Sequence, residues 1–61
     1  MTLNMDPNLL LSLVNTKLRN DYDSLKTLAE RENLDLQALK DKLKIIGYVY
    51  DSKAHQFKAS Q

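Results

Sequence analysis

The stretch Leu34-Asp35-Leu36-Gln37-Ala38-Leu39-Lys40-Asp41-Lys42-Leu43-Lys44-Ile45-Ile46-Gly47 decides how this chain folds. Leu36, Leu39, Leu43 and Ile46 recur three and four residues apart, which lines them along one face of a 3.6-residue helix. Gln37, Lys40, Asp41 and Lys44 fall on the other faces. Asp35 stands where a carboxylate caps the free N–H groups of a first turn. Gly47 stands where a chain leaves a helix through a left-handed residue. The stretch therefore has a start, a stop and one apolar face that another element must cover.

The cover lies upstream. Ser24–Asn33 reads as a second helix with Leu25, Leu28 and Ala29 on its inner face, and Ala29 is small enough for two helices to cross closely. Asn33 suits a sharp turn with positive φ. The spacing of Ala29, Asn33, Leu34, Leu39 and Leu43 resembles the helix-turn-helix of winged-helix proteins, with Asn33 where that family carries glycine.

Before this pair, Asp6-Pro7 marks a helix start, because proline lacks the N–H that a first turn leaves unpaired. The first helix is expected over Pro7–Asn20. Leu9, Leu10, Leu11, Leu13, Val14 and Leu18 make its apolar arc wider than the ~100° that packing on one partner requires. Two readings stay open: both sides of the arc are core, or part of it is a dimer face. Asn20–Asp23 is a polar break, with Asp23 or Ser24 capping the second helix. After Gly47, Tyr48-Val49-Tyr50 reads as a strand, Asp51–Ala54 as a turn, and His55–Lys58 as a returning strand.

The expected fold is mainly α: a three-helix, helix-turn-helix-like domain over residues 6–58, ending in a short C-terminal β-hairpin. Residues 1–5 and 59–61 are expected as flexible ends, with Met5 a second place where translation could begin. The expected core is Leu10, Leu13, Val14, Leu18, Leu25, Leu28, Leu34, Leu39, Leu43, Ile46, Val49 and Phe57.

Composition narrows the chemistry. A 61-residue chain makes one domain, and a domain of this size buries only about 60% of its unfolded surface. The absence of cysteine excludes disulfides and thiolate metal sites, and one histidine cannot build a zinc site alone. Nine basic residues against eight acidic give a net charge of +1, far from the basic excess of dedicated DNA binders. No apolar run is long enough to span a bilayer and no signal-peptide pattern opens the chain, so a cytoplasmic protein is expected.

The segment DPNLLLSLVNTKLR (Asp6–Arg19), with IGYVYD (Ile46–Asp51) and HQF (His55–Phe57), resembles a family of short uncharacterised bacterial proteins defined as a domain of unknown function. The resemblance runs over about Asp6–Lys58. It implies a small, stand-alone bacterial protein of the cytoplasm and brings no activity or functional residue with it.

Catalysis finds no support in the residues. Glu30 and Glu32 lie two apart on a helix and face different ways, while Asp21 and Asp23 sit in a cap region. The serines lack a base partner. A single glycine cannot form a phosphate-cradling loop. No enzyme activity, cofactor, metal or small-molecule substrate is expected.

Two binding readings remain. In the first, the third helix presents Gln37, Lys40 and Lys44 to DNA, while Lys53, His55 and Lys58 act as a wing on the phosphate backbone. Asp35 and Asp41 oppose it by repelling phosphates, so such binding is expected to be weak and salt-sensitive. In the second, the domain docks a second copy of itself or another protein through Leu9, Leu11, Tyr48 and Tyr50, with no nucleic acid involved.

Overall fold

Each helix begins at a side chain suited to cap it. In the computed structural model, which describes residues 1–60, Asp6 accepts from the Asn8 N–H at 2.8 Å and opens α1 (Pro7–Asn20). Ser24, rather than Asp23, accepts from the Thr27 N–H at 3.1 Å and opens α2 (Leu25–Arg31). Asp35 accepts from the Gln37 N–H at 3.0 Å and opens α3 (Leu36–Lys44).

The second helix stops at Arg31, short of the expected Asn33, because Asn33 takes φ +58°. The Leu34 N–H then reaches back to the Ala29 carbonyl at 2.8 Å and the Asn33 N–H to Glu30 at 3.3 Å. This pair of bonds is the Schellman closure, with asparagine in the seat that glycine usually takes. The third helix likewise stops at Lys44 rather than running through Ile46. Its last turn tightens through Ile46 N–H to Leu43 and Gly47 N–H to Lys44, and Gly47 turns the chain at φ +82°.

The hairpin pairs β1 (Tyr48–Asp51) with β2 (Gln56–Ala59) in antiparallel register, Tyr48 opposite Ala59 and Tyr50 opposite Phe57. Asp51 Oδ1 closes the turn by accepting from the N–H groups of Lys53 and Ala54. His55, expected as the first residue of the returning strand, belongs to this turn instead, at φ +57°. Ala59, expected in a loose tail, is the last residue of β2.

Leu10, Val14, Leu18, Leu25, Leu28, Ala29, Leu39, Leu43 and Phe57 are buried where the three helices and the inner face of the hairpin meet. Leu34 and Ile46 are half-buried against them. Two expected core residues lie outside. Leu13 is 36% exposed, since it points roughly 100° around α1 from the line through Leu10, Val14 and Leu18. Val49 is 42% exposed, because strand alternation sends it away from the face on which Tyr48 and Tyr50 rest. Met1, Leu3 and Met5 pack half-buried against the core and extend it toward the leading end of the chain. Among the described residues no helix is long and apolar enough to cross a membrane.

Candidate functional site

The third helix and the hairpin enclose a groove of about 330 Å³. One wall is the outward face of α3, with Gln37, Lys40, Asp41 and Lys44; the other is Val49 and Tyr50 of β1, with Phe57 at the base. Val49 and Tyr50 are consecutive, so their side chains leave opposite faces of the strand. A single groove meets both only where it runs along the strand's edge.

The polar wall is partly self-satisfied. Gln37 Nε2 donates to Asp41 Oδ1 at 2.9 Å, one helical turn away. Lys40 and Lys44 are exposed and form no ion pair among the described residues. Lys58 stands opposite Val49 on the outward face of the hairpin, and Lys53 lies in its exposed turn. Residues 40–60 hold five lysines against Asp41 and Asp51, whereas residues 1–39 hold six carboxylates against four basic residues. Asp41 and Asp51 keep their charges while accepting hydrogen bonds from neutral donors, and the five lysines still leave residues 40–60 with an excess of three positive charges.

Of the residues named for DNA contact, Gln37, Lys40 and Lys44 come together in the groove, and Lys53 and Lys58 lie on the hairpin beside it. His55, named with them as a wing residue, is half-buried instead. Its Nε2 lies 2.9 Å from the Tyr22 carbonyl oxygen, an acceptor, and therefore carries the proton. Nδ1 then accepts from the Tyr50 hydroxyl at 3.1 Å. Nε2 thus holds the hairpin to the α1–α2 connection, while Nδ1 braces the turn against β1 of the same hairpin.

Of the residues named for a protein interface, Leu9 stands open at 54% exposure. Leu11, Tyr48 and Tyr50 are half-buried against the core. Ile45, at 80% exposure, is the most open large apolar side chain among the described residues, and no periodicity argument singles it out.

A second polar cluster is structural in character. The Tyr22 hydroxyl donates to Glu32 Oε2 at 2.6 Å, and Lys17 Nζ lies 3.5 Å from the same oxygen. The tyrosine hydrogen bond, aided by Lys17, holds the Glu32 carboxyl below its ordinary pKa, while the same hydrogen bond pushes the Tyr22 phenol up. The cluster ties the end of α1 to the end of α2, away from the groove.

What the sequence left unmarked is the polar pairing of α1 with the outer edge of β2. Asn15 Oδ1 accepts from the Phe57 N–H at 2.8 Å and Asn15 Nδ2 donates to the Phe57 carbonyl at 3.2 Å. Gln56 Nε2 adds a bond to the Asn15 carbonyl at 3.1 Å. The one signal for this in the sequence is a polar Asn15 between Val14 and Leu18 on an otherwise apolar arc.

A family model described as Domain of unknown function (DUF4250) matches residues 4–57. No curated protein and no solved structure matches the chain.

Proposed function

From a chain that belongs to the family defined as Domain of unknown function (DUF4250), we infer a protein-docking module whose contact surface is the groove between α3 and β1. The observation that carries this reading is the groove itself: Val49, Tyr50 and Phe57 line it on the hairpin side, facing the unpaired lysines Lys40 and Lys44 on α3. Such a combination suits a partner segment that carries apolar side chains among carboxylates.

Duplex DNA suits it less well. A helix that reads a major groove must protrude and lead with its N-terminal turn. Here the lysine face of α3 is one wall of a concavity, and Asp35 sits at that helix's N-terminus. Asp41 adds a second carboxylate to the same wall. The lysine excess of residues 40–60 is the observation that favours DNA, and it makes duplex binding the second reading.

The test is a pair of titrations of the isotope-labelled domain followed by amide spectra, one with polyglutamate as the acidic polypeptide and one with mixed-sequence duplex DNA. Saturable shifts at Lys40, Lys44, Val49 and Tyr50 with polyglutamate, and none with DNA at physiological salt, are expected. Shifts at the same residues with DNA alone, weakening steeply as salt rises, would replace the docking reading with the nucleic-acid one.

A further inference from the structure

The two edges of the hairpin are treated differently. On β2, the Phe57 N–H and C=O point away from β1, since Asn15 takes both. In an antiparallel ladder, opposed residues alternate between pairs that exchange main-chain hydrogen bonds and pairs that do not. Phe57 and its opposite residue Tyr50 are therefore a non-bonded pair, and so are Tyr48 and Ala59 two residues on. The Ser60 N–H bonded to the Gly47 carbonyl at 2.6 Å fits the same alternation. It follows that Tyr48 and Tyr50 aim their N–H and C=O outward from the free edge of β1. No main-chain partner takes these groups among the described residues.

That free edge is the one the groove follows, as the joint lining by Val49 and Tyr50 requires. Natural edges are guarded by proline, by charges on the strand or by a covering element. β1, with the sequence Tyr-Val-Tyr-Asp, has no proline, and its one charge, Asp51, lies at the turn end, where it accepts from the N–H groups of Lys53 and Ala54. Lys40 and Lys44 stand across the groove on α3, where they face whatever lies along the edge.

We propose that β1 takes an extended, acidic segment of a partner protein as a third strand, bonded to the main chain of Tyr48 and Tyr50, with its carboxylates meeting Lys40 and Lys44. This rests on the docking reading above and adds the conformation and charge of the occupant. Strand addition draws affinity from main-chain hydrogen bonds and selectivity from alternate side chains. Alternate side chains of the added strand would fall toward Phe57 and the groove base on one side, and toward Val49 and Lys58 on the other.

The experiment selects a random peptide library, displayed on phage, against the folded domain and synthesises the enriched peptides. Enrichment of acidic peptides with apolar residues at alternate positions is expected, together with shifts of the Tyr48 and Tyr50 amides in the labelled domain. N-methylation of alternate peptide nitrogens should weaken binding by roughly tenfold or more. Lys40→Glu with Lys44→Glu should do the same while leaving the amide spectrum folded, since both lysines are exposed. Peptides that fill the groove and tolerate N-methylation at every position would overturn strand addition and leave the docking reading standing. Failure to enrich any peptide, or enrichment of peptides that shift only α1, would overturn both.

Discussion

The side-chain amide of Asn15, in the middle of α1, pairs with both main-chain polar groups of Phe57 on β2, as a neighbouring strand would. Phe57 is buried and brings the only aromatic ring of the hairpin that reaches the centre of the core. A two-stranded hairpin is marginal alone. Here it is fixed to the helices by this amide and by the His55 bond to the Tyr22 carbonyl.

Asn15→Ala should therefore destabilise the domain well beyond a surface change. It leaves the Phe57 N–H and C=O without partners in a half-covered position, where an unmet group costs about 1–3 kcal/mol. Urea unfolding should register a loss of about 2–4 kcal/mol. A loss under about 0.5 kcal/mol, within the range of ordinary surface substitutions, would show that water replaces the amide freely.

Leu39 and Leu13 make a contrasting pair. Leu39 is fully buried against the other helices, whereas Leu13 is 36% exposed. Leu39→Ala should lose about 2–5 kcal/mol, enough to threaten a domain of this size. Leu13→Ala should lose less than about 1 kcal/mol. Equal losses in the same unfolding series would mean that Leu13 is covered in solution, by a second copy or by another segment.

The Tyr22–Glu32 contact gives the acid limb of stability its direction. The Tyr22 hydrogen bond first, and Lys17 second among the attractions, hold the folded-state pKa of Glu32 below its ordinary value of 4.5. The unfolded chain then takes up this proton before the folded one does. The contribution is present above the ordinary glutamate range and is lost as pH falls through the lowered folded value. Tyr22→Phe should move the Glu32 carboxyl titration, followed by carbon NMR, upward and flatten that limb. An unmoved midpoint would show that the phenol is not bonded to Glu32 in solution. At the alkaline end the raised Tyr22 works with the opposite sign, its contribution present below the ordinary value of 10.0 and lost as pH rises through the raised one.

Asn33 and His55 share a left-handed backbone, at φ +58° and +57°, but their replacements by glycine should differ. At Asn33 glycine relieves the conformation and forfeits no side-chain hydrogen bond found among the described residues, so stability should hold within about 0.5 kcal/mol or rise. At His55 glycine gives the same relief but removes the bonds to the Tyr22 carbonyl and the Tyr50 hydroxyl, each worth about 0.5–1.5 kcal/mol. His55→Gly should destabilise, and thermal unfolding of the two variants side by side decides it. A stabilised His55→Gly would mean that the histidine latch contributes less than the backbone conformation it imposes.

The elements themselves were readable from the chain because their causes are local. Asp6, Ser24 and Asp35 cap helices through atoms two or three residues away. Asn33 and Gly47 end helices through their own φ. The three-and-four spacing of the leucines marks the buried faces before any partner is known, which is why eight of the twelve expected core residues are buried. The groove's polar wall was equally legible, since Gln37, Lys40, Asp41 and Lys44 share a helix face by periodicity alone.

Other features depend on residues far apart in sequence, and only the tertiary structure decided them. Periodicity gives the width of an apolar arc but not where its cover ends, so it puts Leu13 in the core although Leu13 is open. Alternation gives two faces of a strand but not which one meets the helices, and the face of Val49, expected inside, lies outside. His55 became a latch because the chain brings the Tyr22 carbonyl to it across 33 residues. Asn15 reaches Phe57 across 42 residues, and that contact fixes which strand edge is closed and which is left free. Local sequence sets conformation and face; the choice of which polar groups meet, and which stay unpaired, belongs to the packing of the whole chain.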